Sequence, residues 1–178
     1  MYRMATENNK LTTYWTIQKK AKWDQAQKLG YLVGEYSYID EDFKEPYHWM
    51  MAQMKKRIPQ YEGEYPIWLW TERPDLRESG YLERGEQGAL LKVELHSNTV
   101  LLSDFQAWHM VLNNDYMSLE EADNEIYTLE EIRKSWELIF ELNQLKASEM
   151  WGEPHHLQGV TGKIMTSQID VMKEFKAR

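Results

Sequence analysis

The stretch from Tyr65 to His96 constrains the fold of this chain more than any other. It holds a tryptophan-bearing apolar run, YPIWLW, a long polar segment, TERPDLRESGYLERGEQG, and a second apolar run, ALLKVEL. Both apolar runs are short, rich in aromatic or branched residues and bounded by turn formers, which is the pattern of buried strands. The loop between them carries Arg73, Asp75, Arg77 and Arg84. Polar side chains on a loop held by a rigid scaffold are more often used on a ligand than in packing.

At 178 residues the chain is long enough to bury a core without disulfide staples. We expect a lead over residues 1–10, disordered because it is polar, and one globular domain over 11–178. The formal net charge of -8 opposes a general nucleic-acid surface, which needs a concentrated basic face. With no cysteine, the chain has no disulfide, no thiolate metal site and no thiol nucleophile. MYRMATENNK lacks the apolar core of a signal peptide, and no apolar run approaches membrane-spanning length. A soluble, cytoplasmic protein with no membrane partner is the expectation. Eight tryptophans, eleven tyrosines and ten methionines must carry the core of so polar a chain, and each buried Trp or Tyr needs a partner for its polar edge. The same rings could instead wall a pocket that stacks a planar ligand.

Along the chain, Leu11 to Gln18 reads as a first strand, and Lys19 to Leu29 as a helix stopped by Gly30. Asp42 with Glu45 resembles a capping box for a helix presenting Phe43, Tyr47, Met50, Met51, Met54 and Ile58, stopped at Pro59. Tyr65 to Thr71, Ala89 to His96 and Thr99 to Ser103 read as strands, the last two close enough for a hairpin. Asp104 is placed to cap a short helix holding Trp108, Val111 and Leu112. The acidic run from Glu120 to Glu125 reads as a solvated loop. Thr128 with Glu131 forms a second capping box, opening an amphipathic helix that reaches Asn143. Met150 to His156 is a linker, Leu157 to Met165 a last strand, and Ser167 the start of a terminal helix with Ile169, Met172 and Phe175 inward. The fold class expected is α+β, with a mixed, mostly antiparallel central sheet flanked by helices.

No motif names a reaction. The histidines His48, His96, His109, His155 and His156 lack the i, i+4 helical spacing of a zinc site, so no metal is expected. There is no nucleophile elbow, P-loop or dinucleotide glycine fingerprint. Glu72, Asp75, Glu78, Glu83 and Glu86 surround the arginines of the loop, which leaves two readings open: a surface ion-pair network, or one or two arginines free to hold an anion bidentately.

The segments TIQ at 16–18, GYL at 30–32, EDFKEPYHWM, MKKRI, YPIWLW, PDLR and LLSDFQAWHMVLNN together resemble a bacterial family, also met in mobile elements, that is known only as a domain of unknown function. The resemblance runs from Tyr14 to Phe175 and implies no activity. In element order the chain is also similar to compact ADP-ribosyltransferase-like domains, whose split sheet surrounds a nicotinamide-dinucleotide cleft. That similarity implies NAD as a cofactor and a closing strand with a catalytic Glu. The comparable stretch here begins at Gln158, which can bond a ribose but lacks the charge that favours an oxocarbenium-like state. The usual opening-strand His or Arg is replaced by the neutral Thr16 and Gln18.

Three functional readings follow. The first is a nucleotide or NAD-type ligand-binding module, or a divergent transferase, with Thr16 and Gln18 on the cleft floor, Arg73 and Arg77 on a pyrophosphate, Tyr47 or Trp68 stacking a base, and Gln158 on a ribose. It requires a concave pocket where these residues converge. The second is a non-enzymatic module contacting a host or phage protein partner through an exposed apolar patch. The third, ranked last, is a hydrolase using Asp104 and His109 as an acid-base pair, since Asp104 reads as a helix cap before a catalyst.

Overall fold

The computed structural model describes residues 9–121, 125–152 and 156–178. Most of the lead at residues 1–10, the middle of the acidic run and residues 153–155 of the Met150 to His156 linker lie outside the described residues. Strand β1 (Leu11–Lys19) runs straight into helix α1 (Lys20–Leu29), which Gly30 ends at φ 85° with its N–H on the Ala26 carbonyl. That left-handed stop suits glycine, which has no Cβ to clash there. A two-residue strand β2 (Tyr31–Leu32) follows, then α2 (Lys44–Arg57), β3 (Ile67–Trp70), β4 (Gln87–His96), β5 (Leu101–Asp104) and α3 (Phe105–Leu112). The remainder is α4 (Leu129–Ser135), a 3-10 segment Trp136–Phe140, α5 (Leu142–Ala147), β6 (Leu157–Thr161), β7 (Ile164–Met165) and β8 (Ile169–Lys176).

Six strands form one sheet in the order β5-β6-β3-β1-β4-β8, and every ladder in it is antiparallel. The architecture is α+β, as the sequence implied. Strand alternation gives the sheet two buried faces. On one, Tyr14, Ile67, Leu69, Leu91 and Val93 pack with Trp23 and Ala26 of α1. On the other, Val160 and Trp68 meet Met50 and Met54 of α2, Trp108 and Val111 of α3, and Trp136 and Ile139 of the 3-10 segment. Trp49 stacks on Phe140 at 5.8 Å and meets Trp136 edge-on at 5.4 Å, so aromatic rings supply much of this second core.

Four expectations are corrected. Ser167 does not open a terminal helix: Ile169–Lys176 is a strand laid along β4, from Val93↔Ile169 to Gln87↔Lys176. The spacing of Ile169, Met172 and Phe175 matches a helix, but β4 offers a long run of backbone partners, and pairing overrides a weak local pattern. β4 and β5 do not form a hairpin. A 3-10 turn at Ser97–Thr99 sends β5 to the opposite edge of the sheet, beside β6. Asp42 and Glu45 make no capping box, because a 3-10 turn at Glu41–Phe43 feeds α2, whose entry residue Phe43 caps nothing with its side chain. The helix begun at Thr128 breaks after Ser135 into the 3-10 segment and α5, although the Thr128–Glu131 box forms as expected, with Thr128 N–H donating to Glu131 at 2.8 Å and Glu131 N–H to Thr128 Oγ1 at 3.2 Å.

Candidate functional site

The sheet is weakest at its centre. β1 and β4 pair continuously from Leu11↔His96 to Lys19↔Gly88, while β1 and β3 share the single register pair Trp15↔Trp70. Beside this seam lies a cleft of about 880 Å³, within the range of small-molecule sites. Its walls include Trp68 and Trp70 of β3, Tyr81 of the long loop and Phe105 at the start of α3. Helices α2 and α3 cover the second sheet face over β3 and β6, reaching Trp70 only through Phe105, and Trp15, Ile17 and Trp70 stay half-buried.

Each wall is fixed by a different element. Trp68 Nε1 donates to the Tyr47 hydroxyl at 2.9 Å, and Trp108 lies against the Trp68 ring at 5.1 Å. Burial pushes the Tyr47 phenol above its ordinary pKa, the Trp68 bond opposing it. Tyr47 therefore stands behind Trp68, in the helical layer, and is not among the residues lining the cleft. Phe105 N–H donates to the His156 carbonyl at 2.9 Å, which ties the start of α3 to the entry of β6. The Phe105 ring packs between Trp70 at 5.2 Å and His109 at 4.7 Å. Tyr81 meets Trp70 edge-on at 6.3 Å, and its hydroxyl donates to Glu78 at 3.2 Å.

Of the residues singled out from sequence, Gln18, Trp68 and Arg73 line the cleft. Thr16 is buried and accepts a hydrogen bond from Gln18 Nε2 at 2.9 Å, which fixes the Gln18 amide. Arg77 is 82% exposed and committed to Asp75, which it meets through Nε at 2.9 Å and Nη2 at 2.6 Å. Those bonds, with that from the Arg77 backbone N–H, hold the Asp75 carboxyl down at about 2. Of the two readings of the arginine loop, Arg77 follows the ion-pair one. Arg73 does not: its guanidinium sits over the Trp15 ring, 5.4 Å from the centroid, and makes no ion pair among the described residues.

Asp104 is fully buried and accepts the Ala107 N–H at 2.8 Å, the capping role read from sequence. His109 is exposed, with Nδ1 2.8 Å from the Phe105 carbonyl one helical turn back. Both side chains are thus engaged within α3. Gln158 is 4% exposed and pairs in register with Trp70 on one side and Ser103 on the other. Its Nε2 and the Ser103 Oγ, both buried, have no hydrogen-bond partner among the described residues. No group of His, Asp and Glu able to hold a metal occurs among the described residues, and no helix there is long and apolar enough to cross a membrane.

Trp70, Tyr81 and Phe105 were not singled out from sequence. Trp70 was within reach, since positions 68 and 70 of one strand share a face. Tyr81 and Phe105 carry no local signal, because a loop residue and the first residue of a helix meet Trp70 only through the tertiary fold.

Fold and site together define an α+β protein with an antiparallel sheet opened between two central strands and an aromatic cleft at the opening. The chain belongs to the family described as Domain of unknown function (DUF3841), whose model matches residues 13–130. That span includes most of β1, with β3, the long loop and Phe105, and ends before β6. No curated protein and no solved structure matches the chain, so the similarity to ADP-ribosyltransferase-like domains gains no support.

Proposed function

We propose that the protein is a ligand-binding module that takes a nucleotide-type small molecule in the cleft beside β3, its base held among Trp68, Trp70, Tyr81 and Phe105. The observation that carries this reading is the cleft itself, about 880 Å³ and aromatic on several sides. A flat π-system inserted there replaces water against rings that are already positioned, and base-on-aromatic stacking is worth about 1–3 kcal/mol per base. Gln18 supplies an amide at one rim, oriented through Thr16. Binding, rather than transfer, is the activity proposed. The position compared with a catalytic Glu is Gln158, whose amide has hydrogen bonds to give but no charge to stabilise a cationic sugar.

The test is tryptophan fluorescence and thermal unfolding of the purified chain with a panel of nucleosides and nucleotides. A ligand that binds only the folded state adds about 2.7 kcal/mol of stability at a hundred times its Kd. Quenching and a rise in Tm, both lost in Trp70→Ala while that variant still folds, are the expected result. Absence of any shift at millimolar concentration across all bases would overturn the proposal and favour the protein-partner reading.

A further inference from the structure

The charges around the cleft restrict the ligand further. Of the basic side chains near the opening, most are committed: Arg77 to Asp75, Lys19 to Glu86 at 2.7 Å, and Lys20 to Asp24 at 2.8 Å. Arg73 is the one arginine or lysine among the described residues lining the cleft. It is positioned by the Trp15 ring and makes no ion pair among the described residues. The same lining carries Asp75, which Arg77 pairs with and Arg178 also attracts, and Glu72 and Glu78, which make no ion pair among the described residues. A single anionic group could meet the Arg73 fork bidentately. A second phosphate group nearby would find no further arginine or lysine among the described lining residues and would lie near Glu72 and Glu78 instead, and like charges brought together in a partly desolvated cleft are unfavourable.

Resting on the proposed stacking of a base, we infer that the ligand is a free nucleoside monophosphate, its phosphate held by Arg73, and not a dinucleotide or a di- or triphosphate. Arg77, expected from sequence to share a pyrophosphate with Arg73, takes no part. The geometry selects against a pyrophosphate in two ways: it provides one guanidinium fork, which a single phosphate group fills, and it sets Glu72 and Glu78 on the same lining.

The experiment is a fluorescence titration of the full chain with matched nucleosides, their monophosphates, diphosphates and triphosphates, NAD, and a short single-stranded oligonucleotide bearing a terminal phosphate. The monophosphate is expected to bind between about tenfold and a hundredfold more tightly than its nucleoside, the range of a charged hydrogen-bonded contact. Arg73→Ala should remove that difference and Arg73→Lys should restore part of it, whereas Arg77→Ala, which frees Asp75 on the lining, should still bind the monophosphate more tightly than the nucleoside. Equal affinity of nucleoside and monophosphate, or stronger binding of NAD or a triphosphate, would overturn the inference while leaving base stacking intact. Tighter binding of the oligonucleotide than of the free monophosphate would overturn it in favour of a strand end. If no nucleoside binds at all, the stacking proposal fails and this inference fails with it.

Discussion

Replacing Asp104 separates a structural carboxylate from a catalytic one. Its oxygen accepts the Ala107 N–H at 2.8 Å in a fully buried setting, and α3, which it starts, carries Phe105 into the cleft and Trp108 and Val111 into the second core. Removal of a helix cap costs about 1 kcal/mol, within a range of about 0.5–2. Burial and the charge of the acceptor place this cap in the upper half of that range, about 1.5–2 kcal/mol. For a chain of this length each kcal/mol moves Tm by about 2–4 °C, so Asp104→Ala should melt about 3–8 °C lower than the parent. Asn caps about as well as Asp, so Asp104→Asn should stay within about 0.5 kcal/mol. Urea unfolding followed by circular dichroism measures both, with an unchanged slope showing that the unfolded state is not what moved. The reasoning is refuted if Asp104→Ala loses less than about 0.3 kcal/mol, or if Asp104→Asn loses as much as Asp104→Ala, since the oxygen would then not be the contributing group.

Other perturbations test other parts of the fold. A Cβ at Gly34 would lie 2.5 Å from the Pro66 carbonyl oxygen and 2.6 Å from that of Tyr65, both backbone atoms that cannot rotate away. Gly34→Ala should therefore cost at least about 1–3 kcal/mol, as overpacking does, read by the same urea titration; a neutral result would mean the segment carrying β2 is not held against the approach to β3. Burial, with Glu64 and Tyr65 adding to it, pushes the Tyr61 phenol up to about 12. Because its folded pKa is raised, its contribution is whole below the ordinary value near 10 and declines as pH climbs through 12. Tyr61→Phe should flatten the stability profile over that window relative to the parent, and identical slopes would contradict the assignment. Glu131 has the opposite sign: hydrogen bonds from Thr128, the backbone N–H first, hold its carboxyl below 4.5. Its contribution is present above that pH and fades as acid protonates it, so Glu131→Gln should titrate less steeply below pH 4.5 when helicity is followed by circular dichroism.

The local devices of this fold were legible because they act within a few residues. Gly30 ends α1, Asp104 starts α3 and the Thr128–Glu131 box opens α4, each set by a side chain or a missing Cβ meeting backbone one turn away. Where two local outcomes were close in energy, distant contacts chose. The segment from Ile169 carries apolar residues at both strand and helix spacings, and the open edge of β4 made it a strand. Asp42 looked like a cap, but Phe43 begins the helix instead.

The candidate site divides along the same line. The loop chemistry pointed to Arg73, and the nucleotide-site reading to Gln18 and Trp68, and the fold gathers all three at one cleft. It also pointed to Arg77, whose charge Asp75 neutralises two residues away, and a sequence cannot say which of several nearby acids an arginine will choose. What the sequence determined by itself is strands β1, β3, β4, β5 and β6, the stop at Gly30 and the caps at Asp104 and Thr128, and an aromatic load large enough to build two cores. What only the tertiary structure decided is the sheet order, with β5 carried to one edge and β8 to the other, and the seam between β1 and β3 where the cleft opens. Strand propensity and caps are fixed by interactions within a few residues, whereas strand order and the meeting of Trp70, Tyr81 and Phe105 depend on contacts among segments far apart in the chain, which no local pattern encodes.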